Sequence, residues 1–166
     1  MGKKLLMREG LRKQKRGQLG GNGLRSEKYP ANTRCPRCDL HFEDGVWKHA
    51  DSNRRTEWRY KLCPACTQIR NGITGGIVHF SGAFADIHRQ ELLNRIRNVV
   101  KETQEDRPLE RIIEVKEDKD GILVSATTEH LAVKIGKHIQ RDFGGTLHLK
   151  YAPEDKFAFV QWHRDA

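Results

Sequence analysis

With 166 residues, 36% of them hydrophobic and 32% charged, the chain has room for one ordinary domain or two small ones around a modest core. That length excludes a large enzyme fold with a deep cleft, and no apolar run of about 18 residues marks a transmembrane helix. The net charge is +9, and its placement along the chain says more than its size.

Residues 1–34 hold ten basic side chains: Lys3, Lys4, Arg8, Arg12, Lys13, Lys15, Arg16, Arg25, Lys28 and Arg34. Against them stand only Glu9 and Glu27, so the segment carries +8, while residues 35–80 carry +2 and residues 81–166 carry −1. Leu5, Leu6, Met7 and Leu11 can line one short helical face, which Gly17, Gly20, Gly21 and Gly23 would end. Such a segment buries too little apolar surface to offset its ordering entropy, and a flexible or extended arm is expected over residues 1–34. Its charge suits the neutralisation of phosphates, whereas the plainer role is that of a solubilising tail. The opening Met1-Gly-Lys-Lys-Leu-Leu-Met7 becomes charged too early for a secretory signal, and Leu6 stands where N-myristoylation needs Ser or Thr. A soluble, cytoplasmic protein with no membrane partner is expected.

The four cysteines of the chain form two pairs, Cys35-Pro-Arg-Cys38 and Cys63-Pro-Ala-Cys66. Each C-x2-C turn presents two thiolates to one point, and two such turns complete a tetrahedral shell of four sulfurs. A zinc ribbon over residues 35–80 is therefore expected, with Cys35, Cys38, Cys63 and Cys66 holding a structural Zn2+. A rubredoxin-like iron and a pair of disulfides are the alternatives. A closed four-sulfur shell leaves no position for substrate, so a catalytic metal is not expected. His41 and His49 lie in the intervening loop and are not expected to ligate.

Between the two knuckles, aromatic and basic residues interleave. Trp58 and Arg59 can meet bases and phosphates, and Arg54 and Arg55 sit at an expected loop tip suited to phosphate contact. The alternative for Trp58 and Tyr60 is packing within a ribbon strand. The glycine-rich run from Ile69 to Gly82 serves either as turns or as backbone N–H groups for a phosphate, and it lacks the Gly-Lys-Ser/Thr of an NTPase loop.

After Ser81 the pattern turns helical. Phe84, Ile87, Leu92, Ile96, Val99 and Val100 predict an amphipathic helix over about 83–104, which Pro108 closes off. Strands are expected at 109–116 and 121–127 around the turn 117–121. Thr127 is expected to cap a helix to Phe143 whose stripe is Leu131, Ile135, Ile139 and Phe143. Gly144-Gly145 ends it, and strands follow at 146–152 and 157–163. The expected fold class is α+β: the basic arm 1–34, the four-cysteine zinc ribbon 35–80, and an α-ββ-α-ββ domain 81–166 with its helices on one sheet face.

The eight histidines are scattered, and no metalloprotease, nucleophile-elbow or dinucleotide motif occurs, so no enzyme activity is expected.

The run from Cys63-Pro-Ala-Cys66 through Gly76-Ile-Val78 to Phe80-Ser-Gly82 carries a resemblance, together with His88, Glu91, Leu92 and Ile96-Arg-Asn98. Gly121-Ile-Leu-Val124, Thr127-Thr-Glu-His-Leu-Ala132, Ile135-Gly136 and Gly144-Gly-Thr-Leu147 extend it over roughly residues 35–162. Together these motifs resemble the nonsense-mediated-decay-protein-three family, the archaeal and eukaryotic adaptors for nuclear export of the large ribosomal subunit. The resemblance implies zinc ligation at the four cysteines and binding to the ribosome, in a family that occupies the intersubunit face of the large subunit. One knuckle pair, a basic arm and no long export-signal region fit a short, bacterial-type relative.

The expected function is that of a ribosome-associated, rRNA-binding zinc ribbon. It would block or modulate translation as a stress or ribosome-hibernation factor, with ribosomal proteins or translation factors as further partners. The rival functions are a zinc-ribbon DNA-binding or transcription-associated regulator and a protein-interaction scaffold.

Overall fold

The computed structural model describes residues 29–51 and 57–166, which form two β-sheets and four α-helices. Nine of the ten basic side chains of the arm, from Lys3 to Lys28, and the loop-tip pair Arg54 and Arg55 lie outside the described residues.

The smaller sheet, in the segment expected as the ribbon, has the order β3-β2-β1-β4, built from β1 (Thr33–Arg34), β2 (His41–Glu43), β3 (Val46–Lys48) and β4 (Arg59–Tyr60). Asp44 and Gly45, with φ of 51° and 80°, make the two-residue turn of the β2–β3 hairpin, the left-handed pair that matches strand twist. The smaller sheet and its buried cluster take in residues ahead of Cys35. Tyr29 is buried, its ring 4.8 Å from that of Trp47 and 5.5 Å from that of Phe42. Arg34, expected in the arm, belongs to β1 and pairs with Asp39 at 3.3 Å.

Helix α1 (Pro64–Asn71) follows the second knuckle directly. Cys63 caps it, Pro64 starts it where a backbone N–H would have no partner, and Gly72 stops it at φ 64°. The Ile73 N–H reaches the Gln68 carbonyl at 2.9 Å and the Gly72 N–H that of Ile69 at 3.3 Å, which satisfies the last open carbonyls.

The second sheet has the order β6-β7-β5-β9-β8 and contains β5 (Gly76–Ser81), β6 (Ile112–Asp118), β7 (Gly121–Ala126), β8 (Thr146–Ala152) and β9 (Phe157–His163). Only the β5–β9 pair is parallel; the other pairs are antiparallel. Strand β5 corrects the expected α-ββ-α-ββ by adding a strand of the larger sheet ahead of the first helix. It is the middle strand of the larger sheet, hydrogen-bonded on both sides.

The single helix expected over 83–104 is two: α2 (Ala83–Ile87) and α3 (Arg89–Asp106), broken at His88. The break turns Ile87 out to solvent, while Leu92, Ile96, Val99 and Val100 stay buried. Helix α4 (Glu129–Phe143) buries Leu131, Ile135 and Ile139 as the stripe required. Its cap is Thr128, whose hydroxyl accepts from the Leu131 N–H at 3.1 Å, rather than Thr127.

Helices α3 and α4 pack on one face of the sheet over Val78, Phe80, Ile122, Val124, Val160 and Trp162. Ile77, Phe157 and Phe159 point to the other face and form a separate buried cluster with Leu123 and Ala152. Strand alternation puts these residues on opposite faces. At the β6–β7 hairpin Gly121 has φ 124°, and a Cβ there would lie 2.0 Å from the Phe80 carbonyl oxygen, so only glycine lets the turn cross β5 so closely. Among the described residues no helix is long and apolar enough to cross a membrane.

Candidate metal centre

The four cysteines converge. Every Sγ lies within 4.8 Å of the other three, and Cys35, Cys63 and Cys66 are buried while Cys38 is half-buried. The Cys38 and Cys63 sulfurs are 3.7 Å apart. A tetrahedron with metal–sulfur bonds of about 2.3 Å has edges of about 3.8 Å, so the donor set fits one ion, whereas a disulfide would need about 2.05 Å. All four cysteines are free thiols. The expected disulfide alternative does not match this arrangement.

Local backbone explains the convergence. In the first knuckle the Cys35 N–H bonds the Leu40 carbonyl at 2.8 Å and the Asp39 N–H bonds the Cys35 carbonyl at 3.0 Å, with Asp39 at φ 64° closing the turn. Asp tolerates this left-handed position better than most residues. In the second knuckle Cys63 is the cap of α1, and its Sγ accepts from the Cys66 N–H at 3.4 Å.

Charge is the difficulty that an ion resolves. Burial pushes the Cys63 thiol far up, and the nearby Cys38, Cys35 and Cys66 add to it by repulsion. Cys66 is raised too, again chiefly by burial. For Cys35 burial acts upward, but hydrogen bonds from Cys63, Arg37 and Cys38 outweigh it and bring the group down to about 7. Four thiolates packed side by side need a cation among them.

One residue of the centre carries no sequence signal. Arg111, which enters β6, donates from Nη1 to the Cys66 Sγ at 3.3 Å and from Nη2 to the Cys38 Sγ at 3.2 Å. Burial opposes its charge, but the hydrogen bond and charge of Cys38 more than compensate and hold the guanidinium firmly protonated. It lies 45 residues beyond Cys66, and only the fold brings the two together.

The surroundings join the ribbon to the larger sheet. Leu109 packs on the ribbon cluster of Tyr29, Leu40, Trp47 and Ala65. Gln68 of α1 donates to the Thr127 carbonyl at 2.9 Å, and the His49 ring bonds the Gln104 carbonyl at 2.9 Å. His41 is buried against Glu43 at 3.2 Å and faces Trp58 at 5.5 Å, so both loop histidines are engaged away from the sulfurs.

Trp58 is half-buried, with the Arg34 guanidinium 5.6 Å from its ring centroid, as a residue packed on the ribbon would be. Arg59 is exposed on the edge strand β4, beside Tyr60, which is 66% exposed, and Lys61. Exposed Arg37 stands at the tip of the first knuckle.

Compared with family models, with curated proteins and with solved structures, the chain finds no match.

Proposed function

We propose that this chain is a zinc-stapled RNA-binding protein that works on the ribosome, by binding rather than by catalysis. The observation that carries the reading is the concentration of +8 of the +9 net charge in residues 1–34, directly ahead of a module whose own charge is nearly balanced. A polyanion is the natural counterpart of such an arm, because neutralising phosphates releases their condensed counterions.

Zinc is the ion because a buried tetrahedral set of thiolates suits a borderline-soft cation without redox chemistry. Its role is to hold the two knuckles together and leave the exposed residues Arg37, Arg59 and Tyr60 facing outward, while the Lys61 ammonium lies 5.2 Å from the Tyr29 ring centroid. Tyr60, standing between two cations on an edge strand, is the side chain best placed to stack on an unpaired base. The resemblance to the large-subunit export adaptors supports the ribosome as the source of that RNA. A factor seated on an intersubunit surface would obstruct subunit joining or tRNA entry, which is the action of a hibernation-type factor.

Sucrose-gradient sedimentation of the tagged full-length chain at low salt is the test. Cosedimentation with ribosomal particles is expected. Recovery only in the ribosome-free fractions contradicts the reading, and retention on duplex DNA in that same case would favour a transcription-associated regulator.

A further inference from the structure

We propose that Arg111 is a positioning residue that clamps the metal–thiolate centre to the larger sheet, so that metal occupancy and docking of the ribbon form one coupled equilibrium. This rests on the reading of the four cysteines as the site of a divalent ion.

The guanidinium fork spans the two knuckles, with one N–H on Cys38 of the first and one on Cys66 of the second. It is fixed from behind at three points. Its Nε donates to the Pro108 carbonyl at 3.0 Å, its backbone N–H donates to the Thr127 hydroxyl at 2.9 Å, and its carbonyl accepts from the Thr127 N–H at 2.9 Å. The Thr127 hydroxyl in turn donates to the Leu109 carbonyl at 2.9 Å, and the Thr127 carbonyl receives Gln68 from the helix that follows the second knuckle. Thr127 therefore ties Arg111 to the larger sheet and ties α1 to the same place.

Charge explains why the clamp depends on the ion. A divalent cation with four thiolates has a net charge of −2, and Arg111 is a rigid, permanently charged fork placed against it. Without the ion nothing draws the two knuckles to one point, and the half-buried guanidinium loses the paired acceptors that its fork spans. Moving the ribbon away relieves that, and moving it away in turn uncovers the sulfurs. Linkage makes the two effects reciprocal. Groups that hydrogen-bond metal ligands from outside the shell commonly alter affinity by about 10–100-fold.

The test uses the full-length metal-loaded chain with Arg111→Met and Arg111→Lys. Elemental analysis of the wild-type protein first establishes metal content, and an absence of metal defeats the reading of the cysteines rather than the clamp. Transfer of zinc to a chromophoric chelator should then be faster by about 10–100-fold in Arg111→Met, with Arg111→Lys between. With cobalt(II) as the probe, hydrogen bonds from the guanidinium lower the sulfur lone pairs. The thiolate-to-cobalt charge-transfer band should therefore move to longer wavelength in Arg111→Met and return part of the way in Arg111→Lys, a shift that packing alone would not give. Unchanged release rates and an unmoved band in both variants overturn the clamp. Should Arg111→Met not fold, hydrogen exchange of the wild-type chain with and without metal decides. Loss of protection at the Gln68 side-chain amide, which reaches the Thr127 carbonyl at 2.9 Å, on metal removal supports the coupling, and retained protection there overturns it.

Discussion

Removing the metal with a strong chelator, or replacing Cys38 by Ser, is expected to unfold the ribbon and leave the larger sheet intact. The buried ribbon cluster is Tyr29, Cys35, Leu40, Trp47, Cys63, Ala65 and Cys66, so three of its seven members are candidate ligands. Leu40 contributes about 2–3 kcal/mol on full burial and the aromatic Tyr29 and Trp47 about 4–6 kcal/mol each, an upper estimate of about 15 kcal/mol together. A structural zinc ion in a small module supplies about 10–16 kcal/mol near pH 7. An ion held by the four cysteines would therefore contribute about as much as the whole apolar core of the ribbon. The larger sheet depends on a separate cluster that includes Phe80, Leu92, Ile96, Leu131, Ile135 and Trp162, and no ligand belongs to it. Amide hydrogen exchange separates the two. Protection of the β2–β3 hairpin amides should collapse on metal removal, while that of β5 and β9 persists. The indole signals give a second view: Trp47 should shift, and Trp162, bonded through Nε1 to the Gly144 carbonyl at 2.8 Å, should not. Survival of β2–β3 protection without metal refutes the idea that the ion holds the ribbon together.

Two neighbouring threonines should behave differently. Thr128→Ala removes only a helix cap and should cost about 1 kcal/mol in a denaturant titration. Thr127→Ala removes a buried hydroxyl bonded to Leu109 and Arg111, and should cost about 1–3 kcal/mol while also speeding zinc release. Metal uptake should release at least two protons, since burial pushes the thiols of Cys63 and Cys66 up so that both hold their protons near neutral pH. The apparent affinity should therefore rise with pH and fall on acidification, and proton release can be read by titration in weakly buffered solution. Release of fewer than two protons would mean that a buried thiol does not ligate.

Parts of the fold were legible because local chemistry and burial agree there. The stripe Leu131, Ile135 and Ile139 is wholly buried, and the alternation of β9 sends Trp162 and Val160 to the helices and Phe159 to the other face. Central strand β5 resembles a loop in the sequence. Gly75-Gly76 and the polar His79 and Ser81 mask three apolar residues, and a strand paired on both sides need not alternate. The cap position shifts from Thr127 to Thr128 because two adjacent threonines are equivalent to a local rule. Tertiary structure gives one of them the bond to Arg111. The break at His88 follows from no local signal, since the apolar spacing runs through it.

The candidate centre divides in the same way. Cysteine spacing identified the four converging thiols, because two C-x2-C turns have few other uses in combination. Arg111 was invisible, as a single arginine near a strand start resembles any exposed cation until the fold sets it against Cys38 and Cys66. Spatial position also changed the meaning of Trp58, which faces His41 and Arg34, and brought forward its neighbour Tyr60.

The salt dependence of ribosome binding, measured for the full-length chain and for a variant lacking residues 1–28, tests the RNA reading most directly. Truncation at residue 28 leaves Tyr29 and β1 in the ribbon and removes nine basic and two acidic residues. If those seven net charges each neutralise a phosphate of single-stranded RNA, log affinity should fall against log salt with a slope of about −5, or about 1,000-fold between 50 and 200 mM. Most of that slope, and most of the affinity at low salt, should disappear in the truncated chain. Equal affinity and equal slope in the two proteins would contradict a phosphate-binding arm.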